Sequence, residues 1–183
     1  MEMVRETPTP PKRRSIVARH PWLAVLVTLA VAAALAIPVA AYVIVPALVK
    51  STLTESLPVA SAPAARSLSA PAARAQVLAQ GELRRLNAVD FGSGKVLIAD
   101  VNGTRYLRFE NVDIAGAPDL HVYLSERTDG QPGRLTNLGK LKATNGSFNY
   151  PIPPNLDLTQ AKSVVVYCRT FNVTITFALL EKG

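Results

Sequence analysis

The run Lys95-Val96-Leu97-Ile98-Ala99-Asp100-Val101-Asn102-Gly103-Thr104-Arg105-Tyr106-Leu107-Arg108-Phe109-Glu110 decides the class of fold. Two short alternating segments are joined by Asn-Gly, the dipeptide that most readily supplies the positive φ angles of a tight turn, so the run predicts a β-hairpin. The texture continues downstream. Leu120 to Ser125, Ser147 to Ile152, Ser163 to Arg169 and Asn172 to Leu180 are short runs separated by Gly, Asn, Asp and Pro, which is how half-buried antiparallel strands read. No stretch beyond Gly81 keeps a 3.6-residue apolar period long enough for a sizeable helix. Roughly 100 residues in about seven or eight strands match a β-sandwich, which hides the apolar faces of two sheets in one core. The expected fold is therefore all-β, an antiparallel sandwich over residues 79–183, with a small barrel as the alternative.

Upstream of the hairpin the composition changes. Residues 50–78 are mostly Ala, Ser, Pro, Leu and Arg, as in Pro58-Val59-Ala60-Ser61-Ala62-Pro63-Ala64-Ala65-Arg66, without an aromatic side chain. Repeated prolines prevent a long helix and the small residues build no core, so this segment is expected to be a flexible, exposed stalk. A short amphipathic helix around Ala72 to Gln80 is compatible with the pattern. Earlier still, the 28 residues from Trp22 to Val49 are almost entirely Leu, Val, Ile and Ala, and no formally charged residue lies between Arg19 and Lys50. As a helix this stretch reaches ~42 Å against ~30 Å for a hydrocarbon core, enough to span with tilt or with bends at Pro38 and Pro46. Residues 21–49 are expected to be a transmembrane signal-anchor helix in the lipid bilayer.

Orientation follows from charge. Lys12, Arg13, Arg14 and Arg19 precede the apolar run, whereas Lys50 stands near Glu55 after it. The positive-inside bias puts the basic tail 1–20 in the cytoplasm and everything beyond Val49 outside. The expected protein is a single-pass component of the cell membrane with an extracytoplasmic C-terminal domain. A cleaved signal peptide is the rival reading, because small residues surround Val39-Ala40-Ala41. Against it, Tyr42-Val43-Ile44-Val45 carries the apolar run past the length of an ordinary signal sequence. Both readings put the C-terminal domain on the same side.

The excess of basic residues, 20 Lys+Arg against 13 Asp+Glu, is spread along the chain. Residues 1–20 contribute +3, 21–80 contribute +2 and 81–183 contribute +2, so no basic domain exists and no nucleic-acid partner is expected. The single cysteine, Cys168, excludes a disulfide framework within the chain, a Cys-rich zinc site and a two-Cys haem attachment. His20 and His121 are the only histidines, and Met1 and Met3 the only methionines. One outer-domain histidine and one cysteine cannot supply a blue-copper or tetrahedral zinc site, and the methionines lie on the wrong side for haem ligation there. No metal is expected, and the residues specify no cofactor.

Asp90, Asp100, Asp113, Asp119, Asp129 and Asp157 fall in or beside turns, where aspartate is a common turn former. Asp113 and Asp119 bracketing Gly116 are the alternative, as calcium ligands, but without a dense acidic loop. Nucleophile-elbow, zinc-protease and phosphate-loop motifs are missing from the sequence, so hydrolase or transferase chemistry is not expected. Asn102-Gly103-Thr104, Asn145-Gly146-Ser147 and Asn172-Val173-Thr174 fit the glycosylation sequon, the first two being accounted for as turns. Cys168 shares a face with Val164 and Val166, and Val165, Tyr167 and Arg169 lie on the other. It is either a small buried hydrophobe or, if partly exposed, a reactive thiol. His121 shares the opposite face from Leu120, Val122 and Leu124, with Tyr123, and is expected to face solvent.

Several motifs in order carry a resemblance. They are Phe91-Gly92-Ser93-Gly94, Leu107-Arg108-Phe109-Glu110-Asn111, Pro118-Asp119-Leu120-His121-Val122-Tyr123-Leu124, Leu138-Gly139-Lys140-Leu141-Lys142, Tyr150-Pro151-Ile152-Pro153 and Val164-Val165-Val166-Tyr167-Cys168-Arg169-Thr170-Phe171-Asn172-Val173. Together, from Gly81 to Leu180, they resemble the DM-thirteen or electron-transfer DM domain, in its membrane-anchored bacterial type. The chain departs from the family pattern in having Tyr167 where Trp is more frequent before the cysteine. It also lacks an early histidine in the first hairpin, where it has Asn87 to Asp90. The resemblance implies a sandwich related to DOMON domains and a redox role resting on Cys168 as the candidate redox thiol, which makes Cys168 the one candidate catalytic residue.

Two functions follow. The first is a membrane-anchored extracytoplasmic domain acting in electron transfer or thiol redox through Cys168, with a redox partner. The second is a non-catalytic extracytoplasmic binding or assembly module that docks on a protein partner, with Cys168 filling the core.

Overall fold

The computed structural model of the chain describes residues 21–58 and 75–183. The tail 1–20 and the middle of the expected stalk, 59–74, lie outside the described residues. Helix α1 spans Pro21–Leu48. Within it, Trp22–Tyr42 has a mean hydropathy of 2.6 and none of it is buried, so it is long and apolar enough to cross a membrane. Thr28 Oγ1 donates to the Ala24 carbonyl at 2.8 Å, which hides that polar group within the helix.

Among the described residues beyond α1, the structure is all-β apart from one 3₁₀ turn. Ten strands form two sheets: β1 (Thr52–Thr54), β2 (Gln76–Glu82), β3 (Gly92–Val101), β4 (Thr104–Ile114), β5 (Leu120–Ser125), β6 (Thr136–Lys140), β7 (Asn145–Pro151), β8 (Ser163–Cys168), β9 (Val173–Leu179) and β10 (Glu181–Lys182). The first sheet runs β1-β7-β4-β3-β2-β10 and the second β6-β5-β8-β9. This is the expected sandwich. The β3–β4 hairpin turns at Asn102 and Gly103 with φ of 53° and 82°, the pair of positive angles that keeps a two-residue turn in step with strand twist. Gly103 N–H donates to Asp100 Oδ1 at 2.7 Å and closes the turn.

Alternation builds the core. Val96 and Ile98 on β3, Leu107 and Phe109 on β4, and Phe148 and Tyr150 on β7 face inward from the first sheet. Leu120, Val122 and Leu124 on β5, with Val164, Val166 and Cys168 on β8, answer from the second; all are buried. Phe109 and Phe148 stack at 5.0 Å between centroids, with Tyr150 edge-on to both at 5.9 and 6.1 Å. Such aromatic contacts fill volume and fix geometry together. Tyr150 also ties the sheets: its hydroxyl donates to the Lys140 carbonyl at 3.0 Å and accepts from Lys142 N–H at 2.8 Å. Burial holds that phenol well above its ordinary pKa.

Two segments differ from expectation. Gln76–Glu82, where a short helix was compatible with the pattern, is strand β2. Its Gln and Ala side chains are good helix formers, but intrinsic propensity is overridden by tertiary context, and pairing with β3 decides the conformation. The first residues of the expected stalk are also ordered. Thr52–Thr54 pair in parallel with Asn145–Ser147 of β7, the single parallel pairing among the described strands. Gly146 makes room: with φ of 107°, its position has no space for a Cβ beside the Leu53 backbone. Glu55 then locks the strand. Its carboxylate accepts from Asn149 N–H at 2.8 Å and from Lys142 Nζ at 3.0 Å, while Arg108 donates to its carbonyl at 3.1 Å. The Asn149 amide first, then Lys142, hold the Glu55 pKa below the ordinary carboxylate value.

Candidate functional site

Cys168 is the last residue of β8. In register it lies opposite Leu120 of β5 and Val173 of β9. It has no exposed surface and forms no disulfide. The alternation that places Val164, Val166 and Cys168 on one face is thus realised, and that face is the core. Sulfur is well accommodated among aliphatic neighbours, because a thiol is only a weak hydrogen-bond donor and loses little by lacking a partner. Immediately after it the chain leaves the sheet. Arg169 N–H donates to the Asp119 carbonyl at 3.0 Å, and residues 169–172 are exposed, Phe171 by 51%. Asn172 takes a φ of 52° to turn the chain into β9. The buried sulfur is therefore one residue from a surface loop.

His121 does not face solvent as its alternation suggested; it is buried, with 7% exposure. Being on the face away from the core is not the same as being wet. β5 is an inner strand of its sheet, and Asp119, Asn137, Tyr123 and Tyr167 surround the ring. Asn137 Oδ1 accepts from Gly139 N–H at 2.8 Å, which orients its amide so that Nδ2 meets His121 Nδ1 at 3.2 Å. Nε2 lies 3.2 Å from Asp119 Oδ1, yet off the line of a hydrogen bond, leaving it a buried nitrogen without one. Lys140 Nζ approaches the same carboxylate at 4.0 Å. The rings of His121 and Tyr123 are 6.4 Å apart, and Tyr123 meets Tyr167 edge-on at 6.3 Å.

The two titratable groups do not meet. The β5–β8 register sets Leu120 across from Cys168 and His121 across from Tyr167, so sulfur and imidazole project from opposite faces of one sheet. Among the described residues no three His, Cys, Asp or Glu side chains converge as metal ligands. Asp113 pairs with Lys50 at 2.8 Å instead of joining Asp119. Asp157 caps a 3₁₀ turn over Leu158–Gln160, and Asp129, paired with Arg127, has its pKa lowered to about 2 chiefly by that guanidinium. Asp129 and Asp157 thus serve turns, whereas Asp113 lies within β4 and forms an ion pair. Between Phe171 and the segment from Ile114 to Pro118, a cleft of about 480 Å³ has walls that include Phe91, Pro118, Phe171 and Val173, without Cys168 among them. No periodic signal in the sequence marks it, since its lining comes from loops and strand ends that only the fold assembles. The Glu55 cluster escaped notice for the same reason.

Comparison with known proteins adds three findings. The family model described as electron transfer DM13 matches residues 87–180, from the loop before β3 to the end of β9. No curated protein matches the chain. Among solved structures, a mutant of superoxide dismutase 5 from Candida albicans aligns over 58% of this chain and 90% of its own, at 11% identity and a TM-score of 0.34. That level of likeness carries nothing about function.

Proposed function

The chain belongs to the electron-transfer DM13 family, and on that premise we propose that it is a membrane-anchored domain with a role in electron transfer on the extracytoplasmic side. The family match across the sandwich carries the reading. Anchoring by α1 is supported by the apolar stretch Trp22–Tyr42, and the outward orientation by the basic residues that precede it.

Within this reading Cys168 is a sequestered redox thiol. It sits at the end of β8, one residue before the exposed loop 169–172, and is reached when that end of the sandwich opens. Once exposed and deprotonated, Sγ attacks a disulfide of a partner protein; a mixed disulfide forms and the partner's other sulfur leaves as thiolate. Complete burial favours a second reading, in which the domain is a non-catalytic binding or assembly module and Cys168 is a core residue. One experiment separates them: acid-quenched alkylation of membranes from cells expressing the full chain, followed by non-reducing electrophoresis. A mixed disulfide that disappears in Cys168→Ala supports the thiol. Fully reduced Cys168 under oxidising challenge, with function intact in Cys168→Ala, supports the module. An absorption spectrum and metal analysis of the purified full chain test whether either carries a bound group.

A further inference from the structure

The loops at the two ends of the sandwich differ in what they expose. Four large apolar side chains outside α1 and Val49 are exposed among the described residues: Val77 by 42%, Leu86 by 41%, Val89 by 74% and Phe171 by 51%. Three of the four lie on two loops, 83–91 and 169–172, at one end. That end is identified by register: Gly92 pairs with Ile114 there and Cys168 with Val173, whereas the Asn102-Gly103 turn marks the other. The chain enters at the same end. Ser51 N–H donates to Thr144 Oγ1 at 3.0 Å, and Ser51 O accepts from Asn145 N–H at 2.9 Å. The last helical bond, Val49 N–H to Val45 O, is 2.8 Å long and only two residues earlier. Two extended residues reach about 7 Å. Apolar chain thus runs without a charge to Val49, itself 61% exposed, and the sandwich begins almost at once.

We propose that this end of the sandwich, through Val89, Phe171 and Leu86, rests in the interfacial layer of the bilayer that α1 enters. The occupant is the lipid surface, and the inference depends on the anchor reading above. Connectivity argues for it: beyond Tyr42, where the candidate span ends, the chain continues without a charge to Val49, and its first bonds to the sheet follow at Ser51, so no long polar linker separates the apolar run from this end of the sandwich. Chemistry agrees. Phe171 stands two residues from exposed Arg169, and Val89 shares its loop with exposed Arg84 and Arg85. Apolar tips flanked by guanidinium groups suit a layer where acyl chains meet phosphates. The 480 Å³ cleft behind Phe171, with Val49 and Pro118 in its wall, opens on the same side.

The test uses the full chain in a Cys168→Ala background, with single cysteines at Leu35, Val89, Phe171 or Thr104 carrying an environment-sensitive fluorophore. Each is reconstituted into vesicles of phosphatidylcholine and phosphatidylglycerol that contain nitroxide lipids. Quenching of Leu35 by mid-chain nitroxide reads the anchor. Val89 and Phe171 should be quenched by headgroup-level nitroxide several times more strongly than Thr104, at the opposite end. If Leu35 is quenched while Val89 and Phe171 match Thr104, the docking is overturned and the anchor stands. If Leu35 is not quenched, the anchor fails and the docking falls with it. Blue-shifted emission at 89 and 171 without quenching means that protein, such as a second copy, covers them, and this also overturns the proposal.

Discussion

At the end of the sandwich that carries the β3–β4 turn, loops close on their own polar groups: Asp100 on Gly103, Asp157 on Thr159, Glu126 on the Arg134 and Leu135 amides, Ser163 on the Arg127 carbonyl. At the opposite end Leu86, Val89 and Phe171 are exposed, and Cys168 lies buried without a polar partner among the described residues. β8 joins the two ends and offers a matched pair. Ser163 and Cys168, nearly the same size, are both wholly buried. The hydroxyl stands where a carbonyl accepts from it at 2.7 Å; the sulfur stands among Leu120, Val166 and other aliphatic groups. Oxygen is costly to bury unpaired and sulfur is not, so each atom is placed where its chemistry allows.

The largest expected effect tests whether the two ends share one core. Phe148→Ala, which removes a ring from the Phe109 stack at mid-sandwich, should destabilise by ~3–5 kcal/mol. Both ends should melt together, followed by circular dichroism and by hydrogen exchange at Gly103 and Cys168 amides. Separate transitions would show two independent halves and break the comparison.

Next come the members of the pair. Cys168→Ser should cost about 1–3 kcal/mol, because it buries a hydroxyl without a partner, and Cys168→Ala should cost less. Ser163→Ala should cost about 1 kcal/mol by leaving the Arg127 carbonyl unpaired. Denaturant melts decide the order. If Cys168→Ser is neutral, the sulfur's surroundings are wetter than the packing implies.

The smallest effect is pH-dependent. Because Asn149 N–H and Lys142 depress the Glu55 pKa, the docking of β1 gains stability that is fully present above the ordinary carboxyl value of 4.5. It is lost as pH falls through the lower value in the folded protein. Exchange at the Ser51 to Glu55 amides should accelerate over that acidic window, and Glu55→Gln should flatten the dependence. An unchanged profile in Glu55→Gln would leave β1 held by its backbone bonds alone.

Legibility in the sequence follows from the range of the interaction that decides each element. The β3–β4 hairpin, β5, β8 and β9 are visible because alternation and Asn-Gly are local. The inward side of Cys168 is visible for the same reason. β1 is not, since Thr52-Leu53-Thr54 has one apolar residue and depends on the gap at Gly146, some 90 residues away by its register. β2 reads weakly as helix until β3 is beside it. His121 is misjudged because alternation names a face, not what covers it; Asp119 and Asn137 do so here. The end-loop apolar tips are legible as residues, but their common location is a property of topology.

The most direct measurement is the rate at which the Cys168 thiol of the native full chain reacts with a small alkylating reagent, compared with the rate in denaturant. A thiol sealed in the sandwich core should react far more slowly when folded, and the rate should rise with denaturant as the fold opens. Native labelling as fast as in the unfolded chain would contradict it, placing the sulfur at the surface.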